Sequence, residues 1–345
     1  MQILSLVMDK KVGVIILNWN GEELLKKFLP TASRYTVGDV CDLIVADNGS
    51  TDRSVDWISR NHPEVKVLKF ETNYGFSEGY NRAIKECDYP YIVLLNSDVE
   101  VTEDWWKPML HFMETNPDAG AVQPKILSYI DKTKFEYAGA AGGYLDSLGY
   151  PYCRGRLFDA IEEDHGQYDG PPVEVCWASG ACFMTRRKLY LNLGGLDTLF
   201  FAHMEEIDLC CRILNAGFRV CAISDSSVFH VGGASLPQGN PKKTYLNFRN
   251  NLLLLHKNLP ENIGRKKLLF RRLTDTLAFL MFLAKFDFKN ALSIIKAHRD
   301  FKRMRKNYNN FPSENVLGSL PGADKYAIWE RYIKRKKVIN ISNYE

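Results

Sequence analysis

Two carboxylates stand where a run of apolar residues stops. Asp47 closes Asp42-Leu-Ile-Val-Ala46, and Asp98 follows Tyr91-Ile-Val-Leu-Leu95 through Asn96 and Ser97. Three more acids, Glu205, Glu206 and Asp208, open a helical stretch, and His230 ends a further apolar run. An acid at the position of Asp98 caps the next helix, binds a sugar or base hydroxyl, or holds a metal. Together with His230 it could share a divalent cation, Mn²⁺ or Mg²⁺, whose oxygen-rich coordination accepts an added imidazole. Such an ion suits a diphosphate leaving group, because it neutralises charge that develops as the bond breaks. Glu205 or Glu206 could then take a proton from an incoming hydroxyl. Each residue also has an ordinary structural use. Asp-Asn-Gly-Ser is a common turn, acids favour helix N-termini, and a lone buried histidine usually serves a structural hydrogen bond.

The elements that must position these groups are readable from periodicity. Val12–Leu17, Asp42–Ala46, Val65–Phe70 and Tyr91–Leu95 are short apolar runs ending in polar or glycine residues. Between them lie stretches with helical spacing: Glu22–Arg34, a segment through Trp57 and Ile58 capped by Ser50 or Thr51, and Phe76–Glu86. This β-α alternation with short connections predicts a parallel, doubly wound α/β sheet. Ligands of such sheets collect at the carboxyl ends of the strands, where the acids stand. A helix over 103–116 and a strand from Ala119 follow. Residues 128–172, dense in Tyr, Gly and Asp, predict an irregular insertion with hairpins, a candidate flap. Strand resumes over 173–185, helices over 186–193 and 205–215, strand over 218–223, and helix almost throughout 242–306.

At 46% hydrophobic and 25% charged residues the composition is that of a globular chain. The net charge of +4 hides an asymmetry. Residues 1–260 carry 26 Lys and Arg against 33 Asp and Glu, whereas residues 261–345 carry 19 against 8. The eight cysteines have no CxxC spacing, which predicts buried, reduced thiols and a cytoplasmic protein. No basic region precedes the first apolar run, and no window reaches the roughly 18–20 apolar residues of a spanning helix. The basic, apolar helices after residue 260 could instead lie on an anionic membrane surface, peripherally on the inner face of the cytoplasmic membrane. They could equally cap the domain or form a homodimer interface. No nucleic-acid-binding module accompanies the charge.

The order of these motifs resembles inverting, nucleotide-sugar-dependent glycosyltransferases of family 2, with the GT-A fold, and within them the rhamnosyltransferase-like branch. The resemblance covers about residues 11–258 and rests on Val12–Gly21, Val45–Asp52, Asn73–Ala83, Asn96-Ser97-Asp98, Gly194–Arg212 and Val228–Ser235. It implies a GT-A catalytic domain over 1–258 and a basic, mainly helical region over 259–345. On the donor side it implies Leu17, Asn18, Asn20 and Asp47, then Gly75, Phe76 and Asn81, then Asn96, Ser97 and Asp98. It places Trp177, Gly180 and Asp208 on the acceptor side, and the metal on Asp98 and His230. Where the family has Asp-x-Asp this chain has Asn-Ser-Asp, so Asn96 meets the ribose and Asp98 keeps the ion. Where the family has Glu-Asp it has Glu205-Glu206; Glu206 aligns with the base and Glu205 is a reserve candidate. The implied reaction moves a sugar from a nucleoside diphosphate to a hydroxyl of a saccharide or lipid-linked saccharide in surface polysaccharide synthesis. By branch resemblance the sugar is rhamnose.

Two rival functions are weighed beside it. A nucleotidyltransferase uses a similar sheet and metal but a Gly-rich, basic loop after the first strand, and Asn18-Trp-Asn-Gly21 is neither. A catalytically inactive nucleotide-sugar-binding subunit would not need the full set of Asp98, Glu206 and His230. The absence of GxGxxG after the first strand and of GxxxxGK[ST] speaks against dinucleotide and P-loop folds.

Overall fold

Four strands, β1 (Val12–Asn18), β2 (Cys41–Asp47), β3 (Lys66–Lys69) and β4 (Tyr91–Leu95), alternate with helices α1 (Glu22–Thr36), α2 (Ser54–Asn61) and α3 (Phe76–Glu86) in this computed structural model. The structure describes residues 10–232, 239–339 and 341. β1, β2 and β4 are buried along almost their whole length, as their unbroken apolar runs require of strands covered on both faces. They pair in parallel in the order β3-β2-β1-β4, with Asn18 beside Asp47 in register.

Beyond β4 the chain continues as β5 (Val99–Val101), α4 (Lys107–Thr115) and β6 (Ala119–Ser128). The insertion then supplies β7 (Gly143–Leu145), β8 (Pro151–Cys153), β9 (Arg156–Leu157) and β10 (Ala160–Ile161). β11 (Val173–Glu174), β12 (Cys182–Arg186), α5 (Arg187–Asn192), α6 (Glu205–Asn215) and β13 (Arg219–His230) follow. The main sheet extends through β12, β6, β13 and β11, with β5 paired to β13. Its first half is parallel and its second mixed: β12 runs antiparallel to both β4 and β6. Apolar side chains of the parallel half fill two core layers, one on each face.

Several boundaries differ from expectation. The strand expected over 173–185 is split, because Val175–Ala181 turns away to pack on β7 and β6 through Trp177 and Ser179. α2 starts later than Ser50 or Thr51 would cap it; Asp52 instead accepts from the Ser54 amide. The two expected runs after 218 join into one long strand, irregular between Ile223 and Ser227. The insertion forms a four-stranded antiparallel sheet rather than a loose flap. Phe135, Tyr144 and Tyr152 are each at most 1% exposed and belong to the main core.

The C-terminal part is helical: α7 (Pro241–Asn258), α8 (Glu261–Ala284), α9 (Phe288–Met304) and the short α10 (Val316–Ser319). It has no separate core, since Leu268, Phe301, Leu317 and Ala327 join the cluster that holds α6. The tail also returns to the insertion, where the Ala327 amide donates to Asp146 and the Tyr152 hydroxyl to the Gly322 carbonyl. All eight cysteines are buried and unbridged. Among the described residues no helix is long and apolar enough to cross a membrane.

Candidate active site

The turns after β1, β2 and β3 interlock through amides. Asn18 Nδ2 lies within hydrogen-bond reach of Asp47 Oδ1 (3.1 Å), Ser50 Oγ (3.2 Å) and Ser54 Oγ (2.9 Å). Asn20 Oδ1 accepts from the Thr51 amide at 2.7 Å. Asn48 Nδ2 donates to Asn73 Oδ1 and to the Gly75 carbonyl, both at 3.0 Å. Gly49 completes the lock: its φ is +74°, and an added Cβ would lie 2.6 Å from the Thr72 backbone. These bonds hold open a cleft of about 360 Å³ lined by Asp47, Ser50, Asp52, Asp56, Lys69 and Phe70. Asp47 is therefore both a turn residue and part of the rim. Leu17 packs beneath this rim against Gly79 of α3. Gly75, with φ +80°, and Phe76 begin that helix, and Phe76 packs edge-on against Tyr80.

The Asn96-Ser97-Asp98 turn and His230 meet because β5 leaves the turn and pairs antiparallel with the end of β13, setting His230 opposite Val99. His230 Nε2 lies 3.1 Å from Asp98 Oδ1 and 3.5 Å from Asn96 Nδ2. Behind the ring, Nδ1 faces Glu136 Oε2 at 3.5 Å, an ion-pair distance too long for a good hydrogen bond. Asp98, His230 and Glu136 are all buried. Burial opposes charge on the imidazole, but the two flanking carboxylates outweigh it and raise its pKa to about 10. The site thus calls for positive charge between Asp98 and Glu136. One carboxylate and one imidazole backed by a second carboxylate fit a divalent cation, with His230 then neutral. No cluster of three or more His, Cys, Asp or Glu side chains suited to a metal exists among the described residues. The fit therefore leaves most coordination positions to ligand oxygens. Gly233, Ala234 and Ser235, expected to follow His230 in the same turn, lie outside the described residues.

The antiparallel β12 brings the acid pair to the same edge. Its pairing with β4 sets Cys182 opposite Leu95, so the Asn96 amide donates to the Ala181 carbonyl at 3.0 Å. Gly180 is next to it, and a Cβ added there would rest 3.6 Å from Glu206 Cβ. The small Ser179-Gly180-Ala181 turn thus separates the Asn-Ser-Asp turn from Glu206. Burial raises the pKa of both acids at the start of α6, and for Glu205 the neighbouring Glu206 adds to it. Glu206 is pushed up to about 7. Each acid has one buried carboxylate oxygen without a hydrogen-bond partner.

Other expected residues are engaged structurally. Asp208 is 0% exposed and accepts from Arg212, Lys257 and Asn258, the last two at 2.8 Å; it ties α6 to α7 rather than presenting a free carboxylate. Trp177 is buried over Gly143 and donates its indole N–H to the Tyr144 carbonyl at 3.0 Å, anchoring the insertion. Asn81 binds both the amide and the carbonyl of Leu196, and so fixes the loop that leads to α6.

Three residues of this site were not anticipated. Glu136 sits in the insertion, with no local pattern to mark it. Arg249 and Asn250 of α7 grip the loop before Glu205. That loop holds three non-glycine residues in the left-handed region: Phe201 (φ 67°), His203 (φ 66°) and Met204 (φ 72°). Asn250 Nδ2 lies 2.7–2.9 Å from the carbonyls of Phe200, Ala202 and His203, and Arg249 donates to the carbonyls of Leu199 and Phe200. Asn250 is 0% exposed. A signal did exist for it: Arg249-Asn-Asn251 interrupts the buried face of a leucine-rich helix.

Known proteins match this architecture. A family model described as glycosyl transferase family 2 matches residues 13–194, more than half of the chain. The chain is 26% identical over 241 residues to an N-acetylglucosaminyl-diphospho-decaprenol L-rhamnosyltransferase of Mycobacterium tuberculosis, spanning 65% of this chain and 76% of that protein. It resembles the solved structure of S. aureus TarS 1-349 in complex with UDP-GlcNAc, with a TM-score of 0.57 and 17% identity over 84% of this chain and 80% of that one. It also resembles a mannosyltransferase from Pyrobaculum calidifontis in complex with GDP-Man and Mn²⁺, with a TM-score of 0.52 and 13% identity over 85% and 87%. At these identities the two solved structures establish a shared GT-A fold and nothing finer. The family match runs from β1 past β12 to the turn before α6, and the chain belongs to glycosyl transferase family 2, the sugar-transferring enzymes its motif order resembles.

Proposed function

We propose that this enzyme transfers a sugar, with inversion, from a nucleoside diphosphate to a hydroxyl of a lipid-linked saccharide. The observation that carries the reading is the convergence on one sheet edge of the Asn96-Ser97-Asp98 turn, His230 and Glu206, with the Gly180-Ala181 turn between them. The nucleoside end of the donor is assigned to the cleft beside Asp47, and its ribose to Asn96. Asp98 and His230 would hold a divalent cation, which when bound supplies positive charge to the diphosphate. Glu206, with a pKa near neutrality, accepts the proton of the acceptor hydroxyl as that oxygen attacks the anomeric carbon. The diphosphate leaves from the opposite face through an oxocarbenium-like transition state. Rhamnose as the sugar, and a lipid diphosphate-linked saccharide as the acceptor, follow the name of the M. tuberculosis relative. Such an acceptor brings the enzyme to a membrane surface.

The test is a panel of nucleotide sugars offered with Mn²⁺ and a lipid-linked saccharide, with the anomeric configuration of the product read by NMR. Transfer with inversion supports the proposal; transfer with retention, or release of pyrophosphate from a nucleotide, overturns it. Asp98→Ala is expected to abolish the Mn²⁺-dependent part of donor binding measured by calorimetry. An unchanged titration would remove Asp98 from that role.

A further inference from the structure

α8 is turned inside out. Leu269, Phe270, Leu273, Leu277, Leu280 and Met281 are 52–64% exposed, whereas Arg271 and Asp275 on the opposite side are each 1% exposed. At 100° per residue the six apolar side chains span an arc of about 120°, the width that normally faces a core. The inversion has a structural cause. Arg271 bonds Asn251 and Asp275, and it lies 3.9 Å from the centroid of the Tyr150 ring. His298 of α9 meets the other Asp275 oxygen at 2.9 Å. The polar network fixes which side of α8 faces inward, and the apolar side is left exposed among the described residues.

We propose that this face docks the enzyme on an anionic phospholipid bilayer, with α8 lying in the interface plane. Charge selects the occupant. Lys266 is exposed within the apolar arc, Arg265 and Arg272 are exposed along one edge of it, and Lys285 stands beyond its C-terminal end. The acids of α8 are Glu261, at its first residue and paired to Arg265, and the buried Asp275. A second copy laid on this face in either direction would set basic residues against basic residues, so the patch is not self-complementary. Phospholipid headgroups supply the missing negative charge, and their acyl boundary accepts the apolar arc. At the α8–α9 turn Phe286 is 80% and Phe288 56% exposed, which extends the apolar surface. This inference deepens the reading of the acceptor as lipid-linked, because it assigns the surface through which the enzyme reaches it.

Flotation of the full chain with vesicles of phosphatidylglycerol and phosphatidylcholine, against phosphatidylcholine alone, tests it. The wild type is expected to float with the anionic vesicles, more weakly with the neutral ones, and more weakly at high salt. Leu273→Glu/Leu277→Glu is expected to lower binding at least about tenfold, because burial of each leucine alone favours partitioning by about that factor. Its thermal melting and donor hydrolysis without lipid should be unchanged. A wild type that stays at the bottom overturns the proposal. So does a wild-type dimer that this variant converts to monomer while neither floats. Flotation needs neither donor nor acceptor: a chain that floats yet never uses a lipid-linked acceptor refutes the acceptor reading alone.

Discussion

Two groups of carboxylates at this edge of the sheet have opposite protonation preferences. Asp98 and Glu136 flank an imidazole and together favour its charged form. Burial favours the protonated forms of Glu205 and Glu206. A base poised near neutrality must be ionised to act, so turnover is expected to rise with pH through about 7, read from kcat over pH 5.5 to 8.5. The same shift costs stability. The unfolded chain ionises at the ordinary carboxylate pKa and the folded one higher, so stability falls as pH rises between those two values. Glu206→Gln is therefore expected to melt above the wild type at pH 8 and level with it at pH 4. Equal melting at both would show that the carboxylate is not desolvated.

At the scale of elements, the site depends on α7 as much as on the sheet. The three left-handed residues before Glu205 cost backbone energy, and Asn250 offsets it by binding three carbonyls of that loop. Asn250→Ala is expected to lower stability by about 1–3 kcal/mol and kcat at least about tenfold while donor KM holds. Unchanged kcat, with only the melting temperature lowered, would make Asn250 purely structural. The parallel half of the sheet was legible in the sequence, because unbroken apolar runs such as Tyr91–Leu95 occur where a strand is covered on both faces. Motif order singled out Asp98, His230 and Glu206 as candidates. Their meeting was not legible, since it depends on β12 reversing beside β4 and on β5 pairing with the end of β13. Nor was the fate of Asp208 or Trp177. An acid in a first helical turn and a tryptophan after an apolar run look the same whether they face a ligand or a neighbouring element. Glu136 left no trace because its insertion has no periodicity to read.

At the scale of the whole molecule, the C-terminal helices share a core with the sheet, grip the loop before Glu205 and turn an apolar face outward. The buried Arg271–Asp275–His298 network sets that orientation. Asp275→Ala leaves Arg271 buried and unpaired, and is expected to cost about 3–5 kcal/mol by denaturant unfolding. A loss below about 1 kcal/mol would show that packing alone orients α8. The central claim, that one edge of the sheet joins a donor turn to a single catalytic base, is tested most directly by comparing Glu206→Gln with Glu205→Gln in turnover and donor calorimetry. Glu206→Gln is predicted to lose at least about a hundredfold in kcat with donor affinity nearly unchanged, and Glu205→Gln to keep most of its turnover. Near-normal turnover by Glu206→Gln would contradict the account.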